Sequence, residues 1–416
     1  MAWSSGQAEE YLLSLELFGM RFGLDRMHKL MTALGMPQHR YAQIHVVGSN
    51  GKSSTVRFIA AILERHGLGT GSYTSPHLRS FSERIEVGEQ PLSEERFAAA
   101  VGRAAEAARV VERTLDAGEK VTQFEALTAA AYHEFAARGV EVAVIEAGLG
   151  GRHDATNVIP SRVQVLTGVA LEHTRWLGTT VTDIAKEKLA VVRDHATLVV
   201  GELDPEVMEV AEHVVRARQA RLLRAPCDVP ALRVRAGGGF QRRNFALATA
   251  AGAAFLGSRL DPAALEAAAA ETPVPGRLDV VAERPLTIYD GAHNPAGARA
   301  LVQALPEATE GRRPLCLVLS VLEDKDAAGM LELLLAPADH LVLTRCSNPR
   351  SLPPTTLEML AAKLGAVPRE IVPDPGDAVA RARELAGPDG AVVAAGSIYL
   401  VGDLAGGSRP RTPGAA

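Results

Sequence analysis

A chain of 416 residues is too long for one compact core, so its length predicts two or three domains. Its share of hydrophobic residues, 47%, is typical of a globular protein, and its net charge of −5 gives no reason to expect nucleic acid or an acidic membrane as a partner. The apolar run at 245–256 is shorter than the roughly 18 residues of a membrane span and predicts a buried helix. No secretory signal is visible, and Cys227, Cys316 and Cys346 fit reduced thiols of a cytoplasmic protein.

Strand-like and helical patterns alternate along the whole chain. The strand-like runs are at 43–47, 140–145, 163–168, 286–289, 315–321, 340–344 and 391–395. Apolar strands that alternate with helices predict parallel sheets covered on both faces, with ligands at the carboxyl ends of the strands. Two prolines and a glycine at 273–278 predict a linker between an N-terminal domain, 1–272, and a C-terminal domain, 279–416.

The first strand leads into a glycine-rich stretch that opens an apolar-periodic helix. The stretch consists of Gly48, Ser49, Asn50, Gly51, Lys52, Ser53 and Ser54. Strand, glycine loop and helix form the context of a phosphate-binding loop, in which the backbone N–H groups and a lysine hold the anion and a hydroxyl reaches Mg²⁺. Val46 stands where the common pattern has a further glycine, so the loop is a shortened one. The alternative is an ordinary glycine-rich turn before a helix.

Two more candidates follow later strands. Glu146 ends a buried strand just before a second glycine-rich turn, where its carboxylate could hold Mg²⁺ or simply cap that turn. His173 follows the next strand and could be a metal ligand or a hydrogen-bonded loop histidine.

Two further stretches are ambiguous from their residues alone. The run 184–190, with Lys186 and Lys188, has the pattern of a solvated helix face. In the C-terminal part, Asp290 ends a strand and could bond a ribose hydroxyl or serve as a turn-and-cap aspartate. His293 lies in the loop that follows it, and Pro295 suits the first turn of the next helix.

Taken in order, these motifs resemble those of the folylpolyglutamate synthase/dihydrofolate synthase family of the Mur ligase superfamily. The matching stretches are 48–52, 74–78, 83–85, 124–125, 146–152, 154–157, 173–174, 187–188, 275–278, 290–295, 324–326 and 396–402. Each motif is short, and it is their joint order and spacing that carries the resemblance. It implies an α/β fold: a P-loop-containing parallel-sheet N-terminal domain and a smaller Rossmann-like α/β C-terminal domain.

The resemblance implies an ATP- and Mg²⁺-dependent amide ligase. In the family, ATP phosphorylates the carboxylate of a pteroate or folate, and the amine of L-glutamate then attacks the acyl phosphate. By carry-over, Lys52 and the loop amides hold the β- and γ-phosphates, while Ser75, Glu146 and His173 hold Mg²⁺. Lys188 matches a lysine that is carbamylated in the family and binds a second Mg²⁺, which reverses its interpretation as a surface residue. The resemblance also allows for a monovalent cation.

The remaining site residues are assigned by the same resemblance. Asn244 matches a position near the adenine, and Asp290 matches the ribose contact. Arg277 and His293 match residues that reach the phosphates or the intermediate, so that, with Lys52 and Lys188, they complete the expected catalytic set. ATP is then expected between the two domains.

The acid substrate is expected at Phe124, which would stack on the pterin, and at Arg84 and Ala155. The family also leads us to expect a cytoplasmic monomer. The chain departs from the family at Glu172, which is usually Asp, and at Ser53, which is often Gly.

Two alternatives remain. One is a wall-peptide ligase that adds an amino acid to a UDP-linked precursor. Such enzymes usually carry a further N-terminal domain, and the roughly 42 residues before the first strand argue against this alternative. The other is a nucleotide-binding regulator without ligase activity. The residues do not decide between dihydropteroate and reduced folates as the acid.

Overall fold

The computed structural model describes residues 3–15, 23–229 and 232–406. They form two compact units. The first contains the described residues up to Pro76, together with Phe81–Arg233 and Arg243–Thr272. The second contains His77–Ser80, Val234–Arg242 and the described residues from Pro273 onward. The second unit therefore begins where the proline-containing linker was predicted but also takes in two short stretches from earlier in the chain.

The first unit is built on one sheet. Its strands are β1 Ala42–Val47, β2 Thr70–Tyr73, β3 Ile85–Val87, β4 Gln90–Pro91, β5 Val142–Glu146, β6 Val163–Leu166, β7 Thr197–Val200 and β8 Arg221–Arg224. The strand order is β4-β3-β2-β5-β1-β6-β7-β8, parallel from β2 to β8, with β3 and β4 antiparallel. The chain runs from β1 to one side of the sheet and later to the other, so the order reverses around β1. A sheet of this kind binds ligands at that point, beyond the carboxyl ends of the strands.

Helices cover both faces of this sheet. They are α1 Ser5–Ser14, α2 Asp25–Ala33, α3 Lys52–Arg65, α4 Glu94–Glu112, α5 Gln123–Arg138, α6 Thr174–Leu177, α7 Val181–Leu189, α8 Pro205–Ala217, α9 Gly239–Leu256 and α10 Pro262–Glu271. Three short 3-10 helices lie at Pro37–His39, Phe81–Arg84 and Ala155–Val158. One apolar core joins α4 and α5 to β2, β3 and β5, and another joins α7 and α8 to β6 and β7. With both faces covered, the central strands are buried, as their unbroken apolar sequences require.

The second unit has its own sheet and core. Its strands are β9 Asp279–Glu283, β10 Leu286–Tyr289, β11 Leu315–Leu319, β12 His340–Leu343, β13 Arg369–Ile371 and β14 Ala391–Ala395. Its helices are α11 Pro295–Ala308, α12 Ala327–Leu334, α13 Pro354–Leu364, α14 Pro375–Ala386 and α15 Ile398–Leu404. The strand order is β13-β12-β11-β14-β10-β9, with only β9 antiparallel. Leucine, valine and alanine side chains fill the cores on its two faces.

The predicted fold class is confirmed: two α/β units with mainly parallel sheets. The seven predicted strands are all present, shifted by at most a few residues at their ends. The strand β2 was not predicted because it is short and Gly71 interrupts its strand pattern. The structure shows why this glycine fits, since β2 is buried and a Cβ on Gly71 would lie 2.6 Å from the Phe135 ring. The apolar run 245–256 is helical, as predicted, and no helix in the described ranges is both long enough and apolar enough to cross a membrane.

A buried ion pair ties α2 to the start of α5 and offers a test of this packing. The Arg26 Nε lies 3.0 Å from Glu125 Oε1 and 3.1 Å from Oε2, and both residues are less than a tenth exposed. Replacing Arg26 with Ala leaves a buried carboxylate without this partner, so we expect the free energy of unfolding to fall by about 3–5 kcal/mol. Arg103→Ala breaks the exposed pair Arg103–Glu106 and should cost about 0.5 kcal/mol or less. Urea unfolding followed by circular dichroism measures both losses of unfolding free energy. Equal losses in the two variants would contradict the assignment of Arg26–Glu125 as a stabilising buried ion pair.

Candidate functional site

The predicted phosphate loop connects β1 to α3 at the centre of the first sheet. Gly48 has φ +148° and Gly51 has φ +83°, which residues with a side chain rarely adopt. A Cβ on Gly48 would overlap the Thr167 side chain, and one on Gly51 would lie 2.5 Å from Asn244 Oδ1. Both glycines are therefore required by close packing as well as by backbone conformation. Asn244, predicted near the adenine, lies against this loop.

The stretch after β6 supports the loop. The Thr167 hydroxyl donates to Asn50 O at 2.6 Å, and the Ser49 N–H donates to Gly168 O at 2.9 Å. Because α3 begins directly after the loop, its unpaired first N–H groups point toward the same place. The loop is thus held in shape by the neighbouring strand, and the helix adds the positive end of its dipole.

The two candidate hydroxyls on α3 differ in exposure. Ser54 is buried, whereas Ser53 is half-buried. Of these two residues, Ser53 is therefore the more accessible to a ligand.

Two lysines converge on one carbonyl oxygen of the loop. The Lys52 Nζ donates to Gly48 O at 3.0 Å and to Ser49 O at 3.3 Å. The Lys188 Nζ, carried by α7, donates to the same Gly48 O at 2.9 Å and lies 3.1 Å from Glu172 Oε1. Lys188 is only 2% exposed, so the helix that looked solvated in the sequence turns this lysine inward.

The pKa values of both partners of the buried pair, Lys188 and Glu172, are shifted. Burial lowers the pKa of Lys188 to about 8, against the opposing effect of Glu172. Burial by itself would raise the pKa of Glu172, but the charges of Lys188 and Lys52 outweigh it and hold that pKa at about 2. At neutral pH Glu172 is therefore an anion, while Lys188 gives up its proton far more readily than an exposed lysine.

Two of the three predicted metal ligands meet directly. Glu146, at the carboxyl end of β5, is buried, and its Oε2 accepts a hydrogen bond from the Ser75 N–H at 3.1 Å. Ser75 follows β2 and His173 follows β6, so the strand order β2-β5-β1-β6 brings both to the edge that carries the loop. His173 is half-buried with φ +48° immediately before α6.

The available donors suit Mg²⁺ better than a metal held by protein ligands alone. The described part of the chain contains no cluster of three or more His, Cys, Asp or Glu side chains that could hold a metal. Mg²⁺ commonly takes one or two carboxylates and fills its shell with phosphate oxygens and water. Glu146 and the hydroxyl-bearing Ser75, next to a phosphate loop, match that requirement.

Two of the three residues predicted for the acid substrate, Phe124 and Ala155, lie next to the second glycine turn. The Phe124 ring packs on the backbone of Gly148, where a Cβ would lie 2.6 Å from the ring, and its centroid is 6.0 Å from that of Tyr73. Ala155 is buried in the 3-10 helix that follows this turn. The Arg84 guanidinium lies 5.3 Å from the centroid of the Phe81 ring.

The three predicted residues of the second unit lie together at the carboxyl end of β10. The Asp290 carboxylate accepts hydrogen bonds from the N–H groups of Leu278 and Ala292, at 2.9 and 2.8 Å. It is buried, and burial raises its pKa despite Arg277. The Arg277 side chain lies where a Cβ on Gly291 would be, and the His293 Nδ1 lies 2.9 Å from Gly291 O. Asp290 thus holds the turn, as its alternative interpretation described, and its contact with ribose stays a prediction.

Two residues that hold the phosphate loop and the second glycine turn of the first unit were not predicted from the sequence. Thr167 supports the loop, and its only signal was a hydroxyl placed directly after a strand next to β1. Asp154 was quoted within a motif but given no role. Its carboxylate accepts from the Leu149 N–H at 2.7 Å and the Thr156 N–H at 3.0 Å, which holds the second glycine turn in place.

Comparisons with known proteins show what the chain resembles. Residues 276–398 match the family model described as "Mur ligase, glutamate ligase domain". The folylpolyglutamate synthase of Lacticaseibacillus casei is 35% identical over 364 residues, which cover 80% of this chain and 84% of that protein.

A second relative and a solved structure extend the likeness to the whole fold. The dihydrofolate synthase/folylpolyglutamate synthase of Mycobacterium tuberculosis is 35% identical over 82% of this chain and 77% of its own length. The structure of the Mycobacterium tuberculosis folylpolyglutamate synthase complexed with ADP superposes with a TM-score of 0.90. It covers 97% of both chains at 32% identity.

A histidine buried in β1 predicts how stability depends on pH. Burial, with a smaller effect of Arg193, lowers the pKa of His45 to about 3, from 6.5. The unfolded chain therefore takes up a proton below pH 6.5 that the folded chain refuses until about pH 3, so acid destabilises the fold. We expect this group alone to remove roughly 3 kcal/mol between pH 7 and pH 4.

Comparing wild type with His45→Gln isolates the effect, because all other titrating groups are shared. Urea unfolding at pH 7 and pH 4 should show a smaller loss of unfolding free energy in the variant. Equal losses in the two proteins would contradict a low pKa for His45.

Proposed function

The chain belongs to the folylpolyglutamate synthase/dihydrofolate synthase family, and from this premise we propose that it joins L-glutamate to the carboxylate of a pteroate or folate. Enzymes of this family are ATP-dependent, ADP-forming ligases. In the proposed reaction the acid's carboxylate attacks the γ-phosphorus of ATP, which releases ADP and leaves an acyl phosphate. The glutamate amine then attacks the acyl carbon, phosphate leaves and an amide forms.

The observation that carries this proposal is the cluster around the Gly48 carbonyl. Phosphoryl transfer depends on positioning and on neutralising charge more than on covalent help from the protein. Lys52 lies at the start of α3 with its ammonium against the loop carbonyls, so it can turn to a phosphate without moving the backbone. Ser53 supplies an accessible hydroxyl beside it.

We assign Mg²⁺ to the adjoining edge of the sheet. Ser75, Glu146 and His173 would hold the ion that shares the γ-phosphate. When bound, Mg²⁺ neutralises the charge that develops on the phosphoryl oxygens. The contact between the Ser75 backbone and the Glu146 carboxylate supports this assignment, because it holds that carboxylate at the carboxyl end of β5. A second Mg²⁺ and a monovalent cation are proposed from the family alone.

We propose that Lys188 is carbamylated when the second Mg²⁺ is bound. Carbamylation requires a neutral amine, and burial brings the pKa of Lys188 down to about 8, so a fraction of it is neutral at pH 7. A carbamate would place a second anion beside Glu172, which is stable only with a cation between them. The buried pair therefore supports a metal at this position once the lysine is modified.

The acid is proposed to bind against the second glycine turn. Phe124 presents a ring that packs on Gly148, and aromatic rings of this kind pair with a flat heterocycle such as a pterin. Arg84 and Ala155 are proposed to complete this subsite. Dihydropteroate would make the chain a dihydrofolate synthase, and a reduced folate would make it an extender of glutamate chains.

On the same grounds we assign Asn244, which touches the phosphate loop, to the adenine end of ATP. In the second unit, Asp290 is proposed for the ribose, and Arg277 and His293 for the phosphates or the acyl phosphate. We also propose a cytoplasmic monomer, since the described cysteines are all free thiols and two of them, Cys316 and Cys346, are buried in the second unit's core.

An assay of ADP release tests the reaction. We expect ADP to form only when Mg²⁺-ATP, an acid and L-glutamate are all present, because the amine step is what clears the acyl phosphate. Dihydropteroate and a reduced folate, offered separately, identify the acid. ADP release that does not require glutamate would indicate a nucleotide-binding regulator, and activity only with a UDP-linked peptide precursor would indicate a wall-peptide ligase.

Lys188→Arg tests the carbamate while keeping the positive charge that Glu172 needs for folding. We expect at least a tenfold loss of kcat, because arginine is not carbamylated at neutral pH. Lys188→Ala should lose as much and regain part of its activity with added short-chain carboxylic acids. The matched control is Lys186→Ala on the exposed side of the same helix, which should keep full activity.

A ¹³C spectrum reports the carbamate directly. When ¹³C-bicarbonate is added to the wild-type protein, we expect the protein's ¹³C signal to increase. Full activity of Lys188→Arg, or the same spectrum for wild type and this variant, would rule the modification out.

A further inference from the structure

A chain of buried polar side chains runs from β1 to the second glycine turn. It consists of His45, Thr156 and Asp154 and ends on the Leu149 N–H. We propose that His45 is a positioning residue for the acid-substrate subsite: through Thr156 and Asp154 it holds the turn 148–151 on which Phe124 packs. This inference rests on the proposed function for the identity of that subsite.

With the Asp154 carboxylate ionised, the donors in this chain follow from the partners of each group. Asp154 accepts the N–H groups of Leu149 and Thr156, so its oxygens act as acceptors. The single hydroxyl proton of Thr156 also goes to Asp154. Thr156 Oγ1 must then accept from His45 Nε2, which lies 2.9 Å away. His45 is therefore the Nε2–H tautomer, and the hydrogen bonds run in one direction from β1 to the turn.

The turn at the end of this chain touches two parts of the site. Phe124 packs on Gly148, one residue before the N–H that Asp154 holds. On the other side, Gly151 packs on the backbone of α7, where a Cβ would lie 2.6 Å from Lys188 O. A shift of the turn would therefore move the aromatic wall of the acid subsite first. The phosphate loop has its own support from Thr167 and would stay in place.

Stability alone gives no reason for a histidine at this position. His45 is fully buried, and its Nδ1 has no hydrogen-bond partner among the described residues. A buried acceptor without a partner costs free energy, whereas a leucine would fill a strand position at no such cost. What the histidine adds is the directed donor to Thr156, so the inference assigns its role to that bond.

Gln164 is a matched control. It lies on β6 directly beside His45 in the strand register, and it too is fully buried with an unpartnered atom, Oε1. Its amide donates to Ser161 at the other end of the strand and not to the turn. Gln164→Leu therefore perturbs the same core without touching the chain of hydrogen bonds.

The experiment measures ligation with the full-length protein. His45→Leu and Thr156→Val should each raise the KM for the acid at least fivefold and leave the KM for ATP within twofold. The KM of the double variant for the acid should be no higher than that of the more impaired single variant, because both substitutions break the same series of hydrogen bonds. His45→Gln and Thr156→Ser, which keep the donor and the hydroxyl, should restore the KM for the acid, and Gln164→Leu should not change it.

Hydrogen exchange gives a readout that does not depend on activity. Protection of the Leu149 amide should fall in His45→Leu and stay unchanged in His45→Gln and Gln164→Leu. Unchanged KM for the acid and unchanged protection in His45→Leu, or equal rises in both KM values, would overturn the inference. A wild-type protein that does not ligate would instead reject the proposed function, so the two failures are distinguishable.

Discussion

The carbonyl oxygen of Gly48 is the point on which the site depends. Two lysines donate to it, one from the helix that follows the loop and one from α7, and Glu172 balances their charge. Inside a protein such a cluster is stable only when each charge has a partner, because desolvation is costly. The arrangement therefore fixes the loop and draws α7 onto it. It also leaves Lys52 able to exchange its hydrogen bonds to the loop carbonyls for contacts with an incoming anion.

The topology of the first sheet supplies the rest of the site. Because β1 lies between β5 and β6, the carboxyl ends of these two strands lie beside the loop, and they lead into side chains of different chemistry. Glu146 contributes a carboxylate, Thr167 a supporting hydroxyl and His173 an imidazole. Around them, aspartates do structural work: Asp154 and Asp290 are buried and spend their oxygens on backbone N–H groups. Both carboxylates therefore hold loops in place.

Local patterns explain which features could be predicted. The apolar strands, the linker at 273–278 and the glycine loop are each specified within a few consecutive residues, and the fold class followed from them. The helix 184–190 shows the limit, since its alternating charges predict a solvated face. Lys188 is buried because its side chain lies against Gly48, 140 residues earlier in the chain, and against Glu172. Similarly, β2 is a strand because of what covers it and not because of its own residues.

The sequence by itself determined the seven apolar strands, the glycine loop and the family, because these features are encoded by neighbouring residues. Only the tertiary structure decided which residues are buried in a charged pair and which hold a turn. It separated Ser53 from Ser54, turned Lys188 inward to Glu172, and joined His45 to a turn more than a hundred residues away. These outcomes depend on burial and on hydrogen-bond partners from other strands, and neither is set by the local sequence.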